Sequence, residues 1–204
     1  MKKWERYYEE YYCKVMVEKF LPQYSFEKSE RPDWIDKKNN IGMECTIAQV
    51  DNNYSNSLKY ADLVHNNCRN SKKRTDELNC FGEVTQWAYF QKFGDANPVQ
   101  SMLSGLYDKI RKINQSNYII CNENWLTFYL VYPIYPPMFD NMLQELIMAQ
   151  RDFKIKFDKI LICDTTFFVV FNMSINKIDS FEIINQKSFA EKAKELAIEV
   201  LGEK

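Results

Sequence analysis

The sequence predicts an α/β fold in which a central mixed sheet is sandwiched between two helical layers. Three observations carry that expectation. Two nearly continuous apolar runs, WLTFYLVY at 125–132 and KILICD at 159–164, suit strands covered on both faces. Amphipathic patterns of helical period precede, separate and follow those runs, as helices on both sides of a sheet require. Of the 204 residues, 46% are hydrophobic, among them 14 Phe, 13 Tyr and four Trp, enough for a sizeable core in one domain.

Taken in order, residues 2–20 (KKWERYYEEYYCKVMVEKF) form the first expected helix. Trp4, Tyr8, Tyr11, Tyr12, Val15 and Phe20 recur at helical intervals, and Pro22 ends the run. Two short strands follow, 31–36 and 41–48, joined by the polar turn Lys37-Lys38-Asn39-Asn40. Residues 50–97 turn polar and asparagine-rich and read as an insertion, with a helix at about 57–68 and an aromatic segment at 84–93. The spacing of Met102, Leu103, Leu106, Ile110 and Ile113 predicts a helix over 98–116, with Pro98 in its first turn.

The strand at 125–132 is ended by Pro133, Pro136 and Pro137, and a helix over 138–150 carries Leu143, Leu146 and Ile147 inward. The strand at 159–164 pairs as a hairpin with 165–173, and 177–184 gives a shorter strand. The last helix opens at Ser188, with Glu191 three residues on as a capping box, and buries Phe189, Ala193, Leu196, Ala197, Val200 and Leu201. The whole chain, 1–204, reads as a single domain interrupted by the insertion.

Composition narrows the function classes. With 27 basic and 28 acidic residues the net charge is −1, so a nucleic-acid surface requires Lys and Arg gathered on one side. The six cysteines are scattered without a C-x-x-C pair and there is one histidine, His65, which argues against zinc and for a reduced, cytoplasmic setting. No apolar run is long enough to span a membrane. A Gly-rich phosphate loop, a G-x-S-x-G elbow and a Cys–His arrangement are all lacking, which leaves no support for other common α/β enzymes.

The hairpin carries the chemistry. If Asp36 pairs with Ile41, then Ile35 faces Gly42, Trp34 faces Met43, and Asp33 faces Glu44, with Cβ atoms roughly 4.5–5.5 Å apart. Two carboxylates so placed repel each other. A divalent cation between them removes the repulsion, and Mg²⁺ favours one or two carboxylates completed by waters and phosphate oxygens.

Pro32-Asp33, followed by the apolar strand Ile41-Gly42-Met43-Glu44-Cys45-Thr46, resembles the signature of the PD-(D/E)xK nuclease superfamily, with Thr46 at the usual lysine position. The resemblance covers about twenty residues. It implies a restriction-endonuclease-like core and a nuclease that hydrolyses phosphodiester bonds of nucleic acid, DNA ahead of RNA, able to pair as a homodimer to cut two strands, with Mg²⁺ or Mn²⁺ as cofactor. Asp33, Glu44 and the backbone carbonyl of Cys45 are then the expected metal ligands. An acidic residue of the first helix joins them: Glu18, with Glu9 and Glu10 as rivals.

The missing lysine has two candidate replacements on the following helix, Lys109 ahead of Lys112 because it is flanked by the inward-facing Leu106 and Ile110. Thr46 and Gln49 offer only hydrogen bonds to water. Arg31, Lys72, Lys73 and Arg74 are the expected contacts to the nucleic-acid backbone. The alternative implied by Thr46 is a nuclease-fold protein without activity, serving as a binding or assembly module.

Overall fold

The computed structural model describes residues 3–48, 82–84, 89–91, 98–130, 134–164 and 166–202. A seven-stranded mixed sheet runs in the order β1 (Glu27–Lys28), β2 (Trp34–Asp36), β3 (Ile41–Ala48), β6 (Glu123–Leu130), β7 (Lys159–Cys163), β8 (Phe167–Asn172), β9 (Lys177–Glu182). β3, β6 and β7 are mutually parallel, and the strands at either side of them pair antiparallel. A separate antiparallel pair, β4 (Gly82–Val84) with β5 (Tyr89–Gln91), lies within the expected insertion. The expected helix at about 57–68 lies outside the described residues.

The α-helices among the described residues are α1 (Lys3–Arg6), α2 (Tyr8–Phe20), α3 (Pro98–Ile113), α4 (Phe139–Gln150) and α5 (Gln186–Leu201). Both parallel crossovers, β3 to β6 and β6 to β7, pass through a helix, α3 and α4 respectively. They move across the sheet in the same direction, so right-handed connections put both helices on one face. That face is sealed by Met102, Leu106 and Ile110 of α3 and Leu143 and Leu146 of α4 against Leu126, Phe128, Ile160 and Ile162. α2 and α5 cover the other face, where Tyr11, Tyr12, Met16, Ala193 and Ala197 meet Met43, Trp125, Leu161 and Phe168. The alternation along β6 and β7 is what a sheet buried on both sides produces.

Three details differ from the sequence reading. The N-terminal helix is broken at Tyr7, giving α1 and α2. The first strand of the hairpin, expected over 31–36, is only Trp34–Asp36, because Pro32 lacks the N–H a longer ladder would need. The last helix begins at Gln186 rather than Ser188. Asn185 takes up the left-handed conformation, φ 65°, and turns the chain into the helix directly.

Among the described residues no helix is long and apolar enough to cross a membrane.

Glu9 of α2 is buried, and burial pushes its carboxyl up to about 7. The folded state therefore prefers the neutral acid, whereas the unfolded chain ionises near 4.5. Stability on this account is fully present below that value and is lost as pH rises through 7. Glu9→Gln is expected to match the parent near pH 4 and to exceed it by about 3 kcal/mol at pH 8, read from urea unfolding at the two pH values.

Candidate functional site

The turn at 37–40 sets the geometry of the hairpin. Asn40 adopts φ 52°, a left-handed conformation that Asn tolerates, and Asp36 accepts hydrogen bonds from the Asn39 backbone N–H and side-chain amide at 3.0 and 2.7 Å. The pairing that results is Asp36 with Ile41, Ile35 with Gly42 and Trp34 with Met43. Asp33 is the next residue out from Trp34, as Glu44 is from Met43. The Cys45 N–H donates to Asp33 Oδ2 at 2.8 Å, which fixes the aspartate across the strand. Trp34 and Met43 enter the core beneath α2, so Asp33 and Glu44 fall on the opposite face, under α3.

Gly42 makes room for this approach. A Cβ there would stand 2.8 Å from Pro32 Cγ and 3.1 Å from Cys121 Sγ. Only glycine lets the Pro32 ring, joined to Arg31 by a cis peptide, lie over the strand immediately before Asp33.

A second glycine brings α3 down. A Cβ on Gly105 would lie 3.0 Å from Phe128 Cε1 and 3.5 Å from Thr46 Cγ2, so the helix rests almost directly on β3 and β6 there. One turn further along α3, Lys109 Nζ reaches Glu44 Oε2 at 2.5 Å and Asp33 Oδ2 at 3.3 Å. From the loop after α3, the Tyr118 hydroxyl donates to Glu44 Oε1 at 2.7 Å. Both oxygens of Glu44 are thus engaged, and its side chain is 6% exposed. Burial works to lower the Lys109 ammonium, but Asp33 and Glu44 outweigh it and hold the group above its ordinary value. Burial first, and then Glu44, push the Tyr118 phenol well up, so it stays a donor.

The structure brings Asp33, Glu44, the Cys45 backbone and Lys109 together. Thr46 lies next along β3, its methyl turned to α3 at Gly105. Lys112 is exposed on α3. Glu18 accepts from the Phe26 N–H at 2.8 Å and pairs with Lys14 at 2.5 Å, two turns along α2 from Glu10. Glu10 is the acidic residue of α2 that faces Asp33. Burial, then the charge of Asp33, raise its carboxyl, and Lys28 pairs with it. Arg31 is exposed, two residues before Asp33. Gln49, His65, Lys72, Lys73 and Arg74 lie outside the described residues.

Tyr118 and Gly105 escaped the sequence reading. An isolated aromatic in the polar stretch Gln115–Tyr118 carries no periodic signal. A glycine in the middle of an otherwise regular helix is a signal of close approach, since it costs helix stability without another reason.

Comparison of the chain with protein-family models, with curated proteins and with solved structures found no match. One ammonium faces two carboxylates and leaves a residual negative charge, while Glu10 is balanced by Lys28. Asp33 and Glu44 converge on a single point already filled by a cation, and both offer hard oxygen donors. That donor set fits Mg²⁺ or Mn²⁺, which complete their shells with water and phosphate oxygens. No group of three or more His, Cys, Asp or Glu arranged to hold a metal occurs among the described residues.

Removing the ammonium leaves two carboxylates facing each other in a largely buried place. Lys109→Met is expected to cost about 3 kcal/mol in urea unfolding, and Lys109→Met with Glu44→Gln to recover most of that loss. Millimolar Mn²⁺ should raise the melting temperature of Lys109→Met more than that of the parent.

Proposed function

We propose that this chain is a metal-dependent nuclease hydrolysing phosphodiester bonds of nucleic acid, DNA ahead of RNA. The observation that supports it most is the convergence of Asp33, Glu44 and Lys109 on one point, from a hairpin whose residues resemble the PD-(D/E)xK signature. In that resemblance Thr46 stands where a lysine belongs, and Lys109 delivers an ammonium to the same carboxylates from α3.

Asp33 and Glu44, with the Cys45 carbonyl beside them, would hold Mg²⁺ or Mn²⁺, which supplies a more acidic bound water and charge neutralisation at the phosphate. The residues of the chain do the rest. The Cys45 N–H and the Tyr118 hydroxyl fix the two carboxylates in orientation. Lys109 Nζ is kept protonated and therefore acts as a cation and donor, orienting the attacking water and offsetting charge on the phosphoryl oxygens. It is not a proton acceptor. Thr46 has no charge to contribute.

A second reading has its own support. Lys109 already supplies a cation to the carboxylates, so the cluster can persist without metal, as in a nuclease-fold protein that binds or assembles and does not cut.

Cleavage of a panel of plasmid, linear duplex, single strand and RNA with Mg²⁺ or Mn²⁺ tests the proposal. The parent should cut at least one substrate in a metal-dependent manner. Asp33→Ala and Glu44→Ala should each lose at least a hundredfold, and Lys109→Met a comparable amount with Mn²⁺ binding retained. Unchanged cleavage by Glu44→Ala refutes the site. Absence of both cleavage and calorimetric Mn²⁺ binding in the parent favours the second reading.

A further inference from the structure

Cations gather where the end of α3 meets the loop after α4. The last two turns of α3 hold Tyr107, Asp108, Arg111 and Lys112 at the surface, and the loop brings Arg151, Asp152, Lys154 and Lys156 beside them. Two contacts join the segments. The Tyr107 ring centroid lies 6.5 Å from that of Phe153. Asn114, just past α3, donates to the Ile155 carbonyl at 2.9 Å and accepts from the Ile155 N–H at 3.0 Å. Ile155 is half-buried, and the residues on either side of it, Lys154 and Lys156, are exposed and at most about 7 Å apart along the chain.

Charge on this surface is one-sided. In the two segments five surface cations stand against Asp108 and Asp152, in a chain whose net charge is −1. Asp152 is taken up by Arg151 at 3.4 Å, and the nearby Asp158 accepts from the Asn124 N–H at 2.8 Å. Arg111, Lys112, Lys154 and Lys156 form no ion pair among the described residues. The negative end of the α3 dipole accounts for two cations in its last turn. It does not account for Lys154 and Lys156, which belong to no helix.

The surface begins at the carboxylate site. Lys112 follows Lys109 by three residues, about 4.5 Å along the axis and on a neighbouring strip of the helix. Arg111 follows Tyr107 by four and so lies on the strip that meets Phe153. From Lys109, which holds Asp33 and Glu44, positive charge passes over the end of α3 to Lys154 and Lys156.

We propose that this surface carries the backbone of a nucleic acid whose scissile phosphate lies at Asp33 and Glu44. This deepens the nuclease reading and rests on it. A nucleic-acid backbone is a line of closely spaced unit charges, and a row of lysines and arginines neutralises several of them in succession with release of counterions. Such contacts position the strand and leave its sequence unread.

The test is binding of fluorescein-labelled DNA, single strand and duplex, to the full chain in EDTA, where metal-dependent cutting is silent, read by anisotropy across a salt series. Lys154→Ala with Lys156→Ala should weaken binding about tenfold and reduce the salt slope by about two, and Arg111→Ala with Lys112→Ala should do the same. Lys19→Ala with Lys192→Ala removes equal charge from exposed positions of α2 and α5, on the other face, and should change neither. Equal losses in all three pairs, no loss in the first two, a parent without salt-dependent binding, or labelled polyglutamate bound as tightly as DNA each overturns the surface. The cleavage panel separates the two claims. Metal-dependent cutting by the parent, with binding that the first two pairs leave unchanged, rejects the surface and keeps the nuclease. Binding that depends on those pairs, without metal-dependent cutting by the parent, rejects the nuclease reading and with it the path through the carboxylates.

Discussion

The contact of one ammonium with two carboxylates ties the β2–β3 hairpin to α3. Asp33 and Glu44 belong to a local hairpin, whereas Lys109 comes from a helix 65 and 76 positions away in the chain. Coulomb attraction in a partly desolvated place is strong, but neither carboxylate would be tolerated there without a cation. The contact needs the apolar stripe of α3 to bring the helix to the sheet, and it needs Gly105 to let it come close enough. Packing supplies the approach and electrostatics the final register.

The strand that carries Glu44 separates two environments. Along β3, Glu44 turns toward α3 while Met43 and Cys45 turn into the core beneath α2. There Cys45 lies among the buried thiols of Cys13 and Cys163. Burial, followed by neighbouring thiols, raises the Cys13 and Cys45 groups well above the ordinary thiol range, so they behave as small apolar side chains. Cys45 thus lends its backbone N–H to the polar site on one side and its sulfur to a dry core on the other. The period of two in a strand is enough to keep them apart.

Much of this was legible in the residues, and the reason differs from element to element. The polar turn between apolar runs marked the hairpin, the pairing of Asp36 with Ile41 was supposed and is the observed one, and it leaves Asp33 next out from Trp34 as Glu44 is from Met43. The buried strands followed from continuous apolar runs, and α3 from its three-and-four spacing. What could not be read was helix phase. Lys109 and Lys112 are three residues apart and nearly share a face, and only the seating of Gly105 on Thr46 and Phe128 distinguishes them. Glu10 and Glu18 differ by about 12 Å along α2, a distance that matters only once the strand beneath is placed. Tyr118 lay in a loop, where no periodicity exists to reveal which way a side chain turns.

The glycine on α3 has one more consequence. The end of β3 is fixed by its ladder with β6, and the middle of α3 by the seating of Gly105 on Phe128 and Thr46. Doubling the length of a connection between two fixed points costs only about 0.6 kcal/mol in closure entropy. That connection is thus open to exchange or enlargement by evolution or by an engineer, while Gly105 and Lys109 preserve the alignment of the charged cluster. A graft at this position would change what the protein meets without touching how the cluster is built.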